Sequence, residues 1–353
     1  MLRYAVLKAA GGAVITFDVS LRHKVIQLDR GSPNNHIAID RDVTIEGPGP
    51  DLLTISGGNA TRIFFISGGV VQLSGFTLAE GAARGGAGGP ATGGAGGGGG
   101  AAGLGGAIFL QNGTLVLNAI VFSRNRAFGG NGGAPGTTVN AGRGGGGGGF
   151  GGNSVEPGIG GPGGALNAAG EPRGGAGGSG GMGGSSAGAG GEGGWGGGGG
   201  GGGVGFADGV GRGATGGPSG FAGGVGGAGG YFNAETGDEV PGGGGCGGSA
   251  LGGALFATSG LLHLNDTLFL DNSSVAGLGA SGAVNGVAKG GALFLCSSSY
   301  CGPGHDAIAV LSGNTVFKAN SASDAGVDQT CTGRDDADVC GPITIAPKKE
   351  DSR

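Results

Sequence analysis

The sequence predicts an all-β protein built on a parallel β-helix: a solenoid of short strands, with a long glycine-rich insertion. Three observations predict this fold. Short apolar runs alternate with turn residues between 13 and 78, one phrase of sequence occurs three times, and 102 of the 353 residues are glycine. Short, regularly spaced strands and internal repeats are typical of solenoids.

Composition excludes several other classes. Only 12% of the residues are charged, and the formal net charge is -5. Collagen is excluded, because glycine has no strict period of three and only 13 residues are proline. No cluster of Lys and Arg is suited to follow a phosphate backbone, so we expect no nucleic acid partner. The apolar runs are far shorter than the roughly 20 residues of a membrane span, so we expect no transmembrane segment.

The N-terminal part alternates short strands with loops such as GSPNN and EGPGP. Before these strands, LRYAVLKAA at 2–10 predicts a short capping helix. No continuous apolar segment follows Met1, so no signal peptide is visible. We expect this chain to be a fragment of a larger protein, with an export signal lost upstream.

The repeated phrase begins with Gly-Gly-Ala and a Phe-containing strand, and ends with a second Phe followed three residues later by Asn. It occurs at 105–125, 252–272 and 290–320, and the third copy is longer around CSSSYCGPGHD. An insertion that leaves both flanking motifs intact predicts a loop on one corner of a repeated coil.

Each residue of the repeat has a structural role in such a coil. We expect the glycines to form corners with positive φ and the phenylalanines to stack in two interior columns. The asparagines should occupy turns in the left-handed conformation and pair with the next rung. These structural repeat residues are Gly105, Gly106, Phe109, Phe122, Asn125, Gly252, Gly253, Phe256, Phe269, Asn272, Gly290, Gly291, Phe294, Phe317 and Asn320.

The glycine-rich insertion has two interpretations. It is a mobile loop, because it cannot bury enough apolar surface to offset backbone entropy, or it forms polyproline II segments that bond to one another. Its scattered aromatic residues are either contact points for a ligand or plugs that hold the insertion on the solenoid; they are Phe150, Trp195, Phe206, Phe221, Tyr231 and Phe232.

These patterns divide the chain into six parts. The predicted parts are N-terminal β-helix coils with the capping helix at 1–80, a glycine-rich loop at 81–104, a β-helix rung at 105–128, the glycine-rich insertion at 129–250, C-terminal rungs at 251–322, and an acidic, cysteine-containing loop and tail at 323–353.

The cysteine spacing predicts two local disulfides and an oxidising compartment. Cys296 and Cys301 lie five residues apart, Cys331 and Cys340 lie nine apart, and Cys246 is left over. Five unrelated thiols are the alternative. A zinc site is not favoured, because the usual Cys and His spacings do not occur.

The repeat carries a resemblance to a known family. It reads GGAI with FSRN at 105–125, GGAL with FLDN at 252–272, and GGAL with FKAN at 290–320. These pairs resemble the repeat signature of the polymorphic outer membrane proteins, a family of bacterial autotransporter adhesins. Residues 1–80 resemble the first coils of pectin-lyase-like helices. The resemblance implies a right-handed parallel β-helix, secreted or displayed at the cell surface, that adheres to a host or environmental surface through a glycan or protein ligand.

A carbohydrate-active β-helix enzyme, either a polysaccharide lyase or a glycoside hydrolase, is the alternative function. The arginine motif of pectate lyases (RxPxxR) has no match, and we interpret Arg62, Arg124 and Arg126 as solvated residues near strand ends. Asp266 and Asp271 form a weak candidate carboxylate pair, because the first copy has no acidic counterparts. We therefore predict no catalytic residue and a non-enzymatic protein.

The acidic run DQTCTGRDDADVCG at 328–341 is the remaining candidate for a metal site. A Ca²⁺ loop needs alternating oxygen ligands, and only Asp336 and Asp338 alternate. A disulfide-closed acidic loop without metal is favoured over a Ca²⁺ site. We expect no cofactor and a monomeric solenoid.

Overall fold

The computed structural model describes residues 2–28, 36–138, 140–149, 154, 187–207, 209–324 and 337–346. Two short helices occur there, α1 (Leu2–Lys8) and α2 (Ser298–Cys301), together with one 3₁₀ turn at Val19–Leu21. The other regular elements of these ranges are β-strands, so the all-β prediction is confirmed.

The strands fall into three groups along the chain. Those before the long insertion are β1 (Ala13–Thr16), β2 (Lys24–Gln27), β3 (Ile37–Ile39), β4 (Val43–Glu46), β5 (Leu53–Ser56), β6 (Phe64–Ile66), β7 (Val70–Ala79), β8 (Ala82–Arg84), β9 (Gly103–Leu104), β10 (Ile108–Leu110), β11 (Thr114–Ser123) and β12 (Arg126–Phe128). Those within it are β13 (Val204–Ala207), β14 (Val210–Gly213), β15 (Tyr231–Asn233) and β16 (Glu239–Val240). Those after it are β17 (Ala250–Leu251), β18 (Leu255–Ala257), β19 (Gly260–Asn265), β20 (Leu268–Leu270), β21 (Ser273–Val275), β22 (Ala288–Lys289), β23 (Leu293–Leu295), β24 (Ala307–Ser312), β25 (Val316–Lys318), β26 (Ser321–Ala322), β27 (Val339–Cys340) and β28 (Ile343–Ile345).

Most of these strands pair in parallel, in four sheets that we call A to D. Sheet A has eleven strands, in the central order β1-β4-β7-β11-β19-β24-β28; in addition, β5 pairs with β7 and with β2, and β20 pairs with β11 and with β25. Sheet B has the order β3-β6-β10-β18-β23-β27. Sheet C has the order β8-β12-β21-β26, and sheet D the order β9-β17-β22.

The chain enters these sheets in a repeating order. It runs from β10 in sheet B through β11 in sheet A to β12 in sheet C, and after the insertion it passes through β17 in sheet D to β18 in sheet B. Each passage stacks its strand on the equivalent strand of the passage before, so Phe109 pairs in register with Phe65 on one side and Phe256 on the other. Equivalent residues of the repeats therefore form columns.

The main hydrophobic core lies between sheets A and B. Alternate residues of a strand point to opposite faces, and Ile108 and Leu110 of β10 face this core together with Leu115 and Leu117 of β11. Helix α1 contributes two buried residues to the same core, Leu2 and Val6. A small alanine cluster, Ala127, Ala250 and Ala288, packs between sheets C and D.

The structure adds strands that the sequence patterns missed. Strands β13 to β16 form an antiparallel sheet, which we call sheet E, inside the stretch predicted as glycine-rich insertion. Strand β27 pairs with β23 and strand β28 with β24, so part of the predicted tail at 323–353 continues sheets B and A.

Candidate functional site

The Gly-Gly-Ala corners depend on both glycines, for different reasons. The first glycine has a left-handed backbone, with φ of +61° at Gly105, +66° at Gly252 and +60° at Gly290. The second approaches the neighbouring rung, and a Cβ added to Gly253 would lie 2.0 Å from the carbonyl oxygen of Gly291. A side chain at the first position is strained, and one at the second collides with backbone.

The asparagines of the repeat form a buried ladder. Nδ2 of Asn125 donates to Oδ1 of Asn272 at 3.0 Å, and Nδ2 of Asn272 donates to Oδ1 of Asn320 at 2.9 Å. The ladder ends at Asp338, whose carboxylate accepts from Nδ2 of Asn320 at 2.8 Å. Oδ1 of Asn272 also accepts the backbone N–H of Asn125, and Oδ1 of Asn320 accepts that of Asn272. Buried polar groups need such partners.

The expectation that these asparagines adopt the left-handed conformation is wrong. Positive φ occurs one residue earlier, at Arg124, Asp271 and Ala319, each with φ of 54°. The residue before the asparagine makes the turn, which leaves the asparagine free to direct its amide along the stack.

One of the two predicted phenylalanine columns lies in the main core. The rings of Phe122 and Phe269 stack with centroids 4.6 Å apart, and those of Phe269 and Phe317 with centroids 4.8 Å apart. Phe122 and Phe269 are fully buried, whereas Phe317 is only partly buried at the edge of the core. Offset or stacked aromatic pairs stabilise by about 0.5–1.5 kcal/mol beyond their area burial.

The other column is buried, but not in the interior between sheets A and B. Phe109, Phe256 and Phe294 lie on the opposite face of sheet B, in a separate cluster with Phe65. Their ring centroids are 5.0 Å apart between Phe109 and Phe256 and 5.5 Å apart between Phe256 and Phe294. Side chains alternate between the two faces of a strand, so a residue that lies between two inward-facing residues must face outward. A second layer therefore has to cover them.

Two aromatic residues of the insertion provide that cover. Trp195 lies edge-on to Phe109 at 6.0 Å and stacks on Phe221 at 5.4 Å. Phe221 in turn reaches Phe256 at 6.4 Å and Tyr300 of α2 at 6.4 Å. These contacts support the plug interpretation for Trp195 and Phe221.

Glycine-rich segments of the insertion, of the preceding loop at 81–104 and of the stretch that follows β21 bond to each other through their backbones. We call these segments the glycine layer, and they are the described residues of 85–103, 129–138, 142–149, 188–203, 214–230, 242–249 and 276–287.

Hydrogen bonds within the glycine layer recur at every third residue. Gly130 and Gly133 donate to the carbonyls of Ala101 and Gly98, at 2.8 and 2.7 Å, between antiparallel segments. Gly97 and Gly100 bond in the same way between parallel segments. A period of three residues is that of the polyproline II helix. The hydrogen bonds in the described part of the insertion have the period expected of bonded polyproline II segments.

Glycine is required in this layer because the segments lie so close together. A Cβ on Gly132 would lie 1.8 Å from the carbonyl oxygen of Gly245, and a Cβ on Gly97 would lie 1.9 Å from that of Gly133. Real Cβ atoms essentially never come within 3.0 Å of another heavy atom. The high glycine content, which precludes an ordinary apolar core, is therefore required by this backbone packing.

Arg62 contradicts its predicted role as a solvated residue. The side chain is buried, and its guanidinium donates to the carbonyl oxygens of Gly105 at 2.9 Å and Leu104 at 2.6 Å. It also lies 5.3 Å from the ring centroid of Phe109. Burial lowers the pKa of Arg62 to about 9. The charge is held at the corner where the glycine layer joins sheet B.

The other candidate side chains are dispersed. Arg124 and Arg126 are exposed, and Arg124 lies 3.5 Å from the carboxylate of Glu80. The carboxylate of Asp266 accepts the backbone N–H of Asn314 at 2.8 Å. Asp271 lies in the left-handed turn after β20, so strand β20 separates the two aspartates.

One predicted disulfide lies within the described residues. Cys296 and Cys301 are joined, and they pack with the Phe109 column. Cys340 is also disulfide-bonded; Cys331 lies outside the described residues, as do Asp328, Asp335 and Asp336 of the acidic run. Cys246 is a free, half-buried cysteine in the glycine layer.

Among the described residues, no group of three His, Cys, Asp or Glu side chains is placed to hold a metal ion. No described helix is long and apolar enough to cross a membrane.

No family model, no curated protein and no solved structure matches this chain. The resemblance to the polymorphic outer membrane proteins therefore stays a prediction from the repeat motif.

Sheet E creates a cleft that the sequence patterns did not point to. The cleft is small, with a volume of about 20 Å³, and lies between the β15–β16 hairpin, residues 136–138 and the glycine layer at Gly94 and Gly230. The hairpin reads YFNAETGDEV, and its polar, glycine-containing centre between apolar ends is a hairpin signal. The surrounding glycine obscured this signal.

Proposed function

We propose that this chain is a non-enzymatic, adhesin-like structural protein of the extracellular space or bacterial cell surface, built on a right-handed parallel β-helix. The observation that carries the proposal is the glycine layer, bonded at every third residue and attached to sheet B through Trp195 and Phe221. A layer held by backbone bonds on a stacked scaffold suits a rigid contact surface rather than a reacting site.

The winding of the chain supports the fold part of the proposal. Sheets B, A, C and D are entered in a repeating order, and equivalent residues stack in columns. Connections between parallel strands of one sheet are right-handed in about 98% of cases. An experimental structure would show the handedness of the winding directly. A left-handed winding would contradict the proposal.

The disulfides support the proposed extracellular or cell-surface location. Cys296–Cys301 and the bond at Cys340 are typical of secreted and surface proteins. The test is to alkylate free thiols in protein taken directly from its source and to measure the mass before and after reduction. Two oxidised pairs are expected, and fully reduced cysteines contradict an extracellular location.

Adhesion and catalysis are separated by one pair of assays. Beads that carry the full chain should bind to a glycan array or to immobilised matrix proteins and resist washing. A Trp195→Ala variant, which loosens the glycine layer, should bind less. The same chain should leave pectin, polygalacturonate and alginate uncleaved when Ca²⁺ is present. Cleavage of any of these polymers establishes the alternative, a carbohydrate-active enzyme.

A further inference from the structure

The sequence contains three Asn-Gly pairs, at 112–113, 131–132 and 285–286. In such a pair the backbone nitrogen of the glycine can attack Cγ of the asparagine, because glycine has no side chain to hinder the approach. Ammonia leaves, and water opens the resulting cyclic imide to aspartate or isoaspartate. The reaction needs a glycine nitrogen that lies beside the asparagine amide and is not held by another acceptor.

The pair at 112–113 meets both conditions. Asn112 is exposed at the corner between β10 and β11, where the chain passes from sheet B to sheet A. The N–H of Gly113 donates to Oδ1 of Asn112 at 2.8 Å, which places the nitrogen next to the side-chain carbonyl. Among the described residues, no backbone carbonyl accepts this N–H. Reactions are faster when the reacting atoms are held close together beforehand.

The glycine layer holds the pair at 131–132 on both sides. Asn131 is exposed, as Asn112 is. The N–H of Gly132 donates to the carbonyl of Leu278 at 2.8 Å, and Oδ1 of Asn131 accepts the N–H of Leu278 at 2.9 Å. The nitrogen and the amide that would react are therefore each committed to a neighbouring segment.

The pair at 285–286 is held in the same way. The N–H of Gly286 donates to the carbonyl of Gly277 at 2.8 Å. The side chain of Asn285, also an exposed residue, accepts the N–H of Gly279 at 2.9 Å. Both bonds have to break before this asparagine can form the imide.

The neighbouring rungs have other residues in place of Asn112. The register of β7, β11 and β19 makes Gly68 and Ser259 its equivalents. The glycine that follows is left-handed in every rung, with φ of +85° at Gly69, +105° at Gly113 and +103° at Gly260. A serine in place of Asn112 is therefore a residue that this corner already accommodates in the next rung.

The products change the corner itself. Either product adds one negative charge, and isoaspartate also lengthens the backbone by one methylene. The corner has no space for this, since a Cβ on Gly113 would lie 2.5 Å from the carbonyl oxygen of Gly69. The carbonyl of Gly113 also accepts the N–H of Leu261 at 3.0 Å. A longer backbone here disturbs the bonds to the adjacent rungs.

We propose that Asn112 is a modification site, which converts spontaneously to isoaspartate and aspartate, and that the glycine layer protects Asn131 and Asn285. The nitrogen of Gly113 forms a bond to Cγ of Asn112, and its proton leaves with the amide nitrogen as ammonia. One water molecule then opens the imide at either carbonyl. The inference goes beyond the proposed function and does not depend on it.

The test is to incubate the folded full chain at neutral pH, below its unfolding temperature, and to map its peptides by mass spectrometry. The peptide that contains Asn112 should gain about 1 Da. Its conversion should be about tenfold faster, or more, than that at Asn131 or Asn285, because two hydrogen bonds must break first at those sites. Fragmentation spectra that distinguish the two products should show isoaspartate as well as aspartate.

Two controls separate the fold from the dipeptide. Asn112→Ser should fold as the unchanged protein does and should leave this peptide without the mass gain. In concentrated urea, where the bonds of the glycine layer are lost, the three asparagines should react at similar rates.

Three results overturn the inference. One is a rate at Asn131 or Asn285 in the folded chain that equals the rate at Asn112. Another is an Asn112 that stays unchanged in the folded chain while it reacts in urea. The third is a product that contains aspartate alone, because direct hydrolysis of the amide gives no isoaspartate.

Discussion

The side-chain amide of Asn125 donates to Oδ1 of Asn272 at 3.0 Å, although 147 residues separate the two in sequence. The glycine insertion lies between them, yet the two asparagines occupy adjacent rungs. The parallel strands on either side of the insertion therefore stack on each other despite the long stretch of chain between them. Loop-closure entropy rises only slowly with loop length, so a long detour is compatible with this stacking.

The first prediction concerns the asparagine ladder. Asn272→Ala should lower the free energy of unfolding by about 2–4 kcal/mol, because it leaves buried donors and acceptors of the adjacent rungs without partners. Denaturant unfolding followed by circular dichroism measures the loss. The exposed Asn314→Ala serves as the control and should change stability by no more than about 0.5 kcal/mol. An equal effect of both variants contradicts the ladder.

The second prediction uses Trp195, the single tryptophan of the chain, as a reporter. Phe109→Ala should shift the tryptophan emission to longer wavelength, because it removes the ring against which the indole packs. Phe122→Ala should lower the free energy of unfolding by about 3–5 kcal/mol, as Phe109→Ala should. It should leave the emission unchanged under native conditions, because Phe122 lies in the main core. The same emission shift in both variants would indicate general loosening of the protein. It would contradict the placement of Phe109 and Phe122 in two separate clusters.

The third prediction concerns backbone packing in the glycine layer. Gly132→Ala should destabilise the protein by about 1–3 kcal/mol, as overpacking does, because its Cβ would collide with the carbonyl of Gly245. Gly11→Ala is the matched control, since its Cβ would meet nothing within 4 Å. Thermal unfolding should show a lower midpoint for Gly132→Ala alone. Hydrogen exchange should locate the faster amides in the layer.

The fourth prediction follows from the lowered pKa of Arg62. Burial lowers the pKa of this arginine from the ordinary value of a guanidinium to about 9. The folded state thus disfavours the charged form, and this penalty is fully present below pH 9. It declines as the pH rises above 9, since the unfolded state then binds more protons than the folded state.

The matched comparison for Arg62 is Arg62→Met, which cannot titrate. The stability of the unchanged protein relative to this variant should rise between pH 9 and 11, as measured by urea unfolding. All other ionisable groups are the same in both chains, so their contributions cancel in the difference. A difference in stability that stays constant between pH 9 and 11 contradicts the lowered pKa of Arg62.

Local patterns were sufficient for much of the scaffold. The repeat placed Gly105, Gly252 and Gly290 at corners, because only glycine tolerates positive φ without strain. It also placed Phe122 and Phe269 in one column, since equivalent positions of stacked repeats must coincide. The left-handed turn was displaced by one residue, from Asn125 to Arg124, because several residue types tolerate that conformation at a modest cost.

The glycine layer shows where sequence patterns reach their limit. Low hydrophobicity is compatible with a mobile loop and with a backbone-bonded layer, and the choice depends on whether partner segments lie close enough to bond. Gly97 contacts Gly133 in one segment and bonds to Gly243 in another, and no local pattern encodes that pairing.

By itself, then, the sequence determined the all-β class, the stacked repeats and the local cysteine pair, because these follow from short-range periodicity and spacing. Tertiary structure alone decided that Phe109 faces the insertion, that Arg62 is buried, and that Tyr231 and Glu239 line one cleft. The reason is physical: strand alternation specifies two faces, but only the packing of distant segments determines what covers each face.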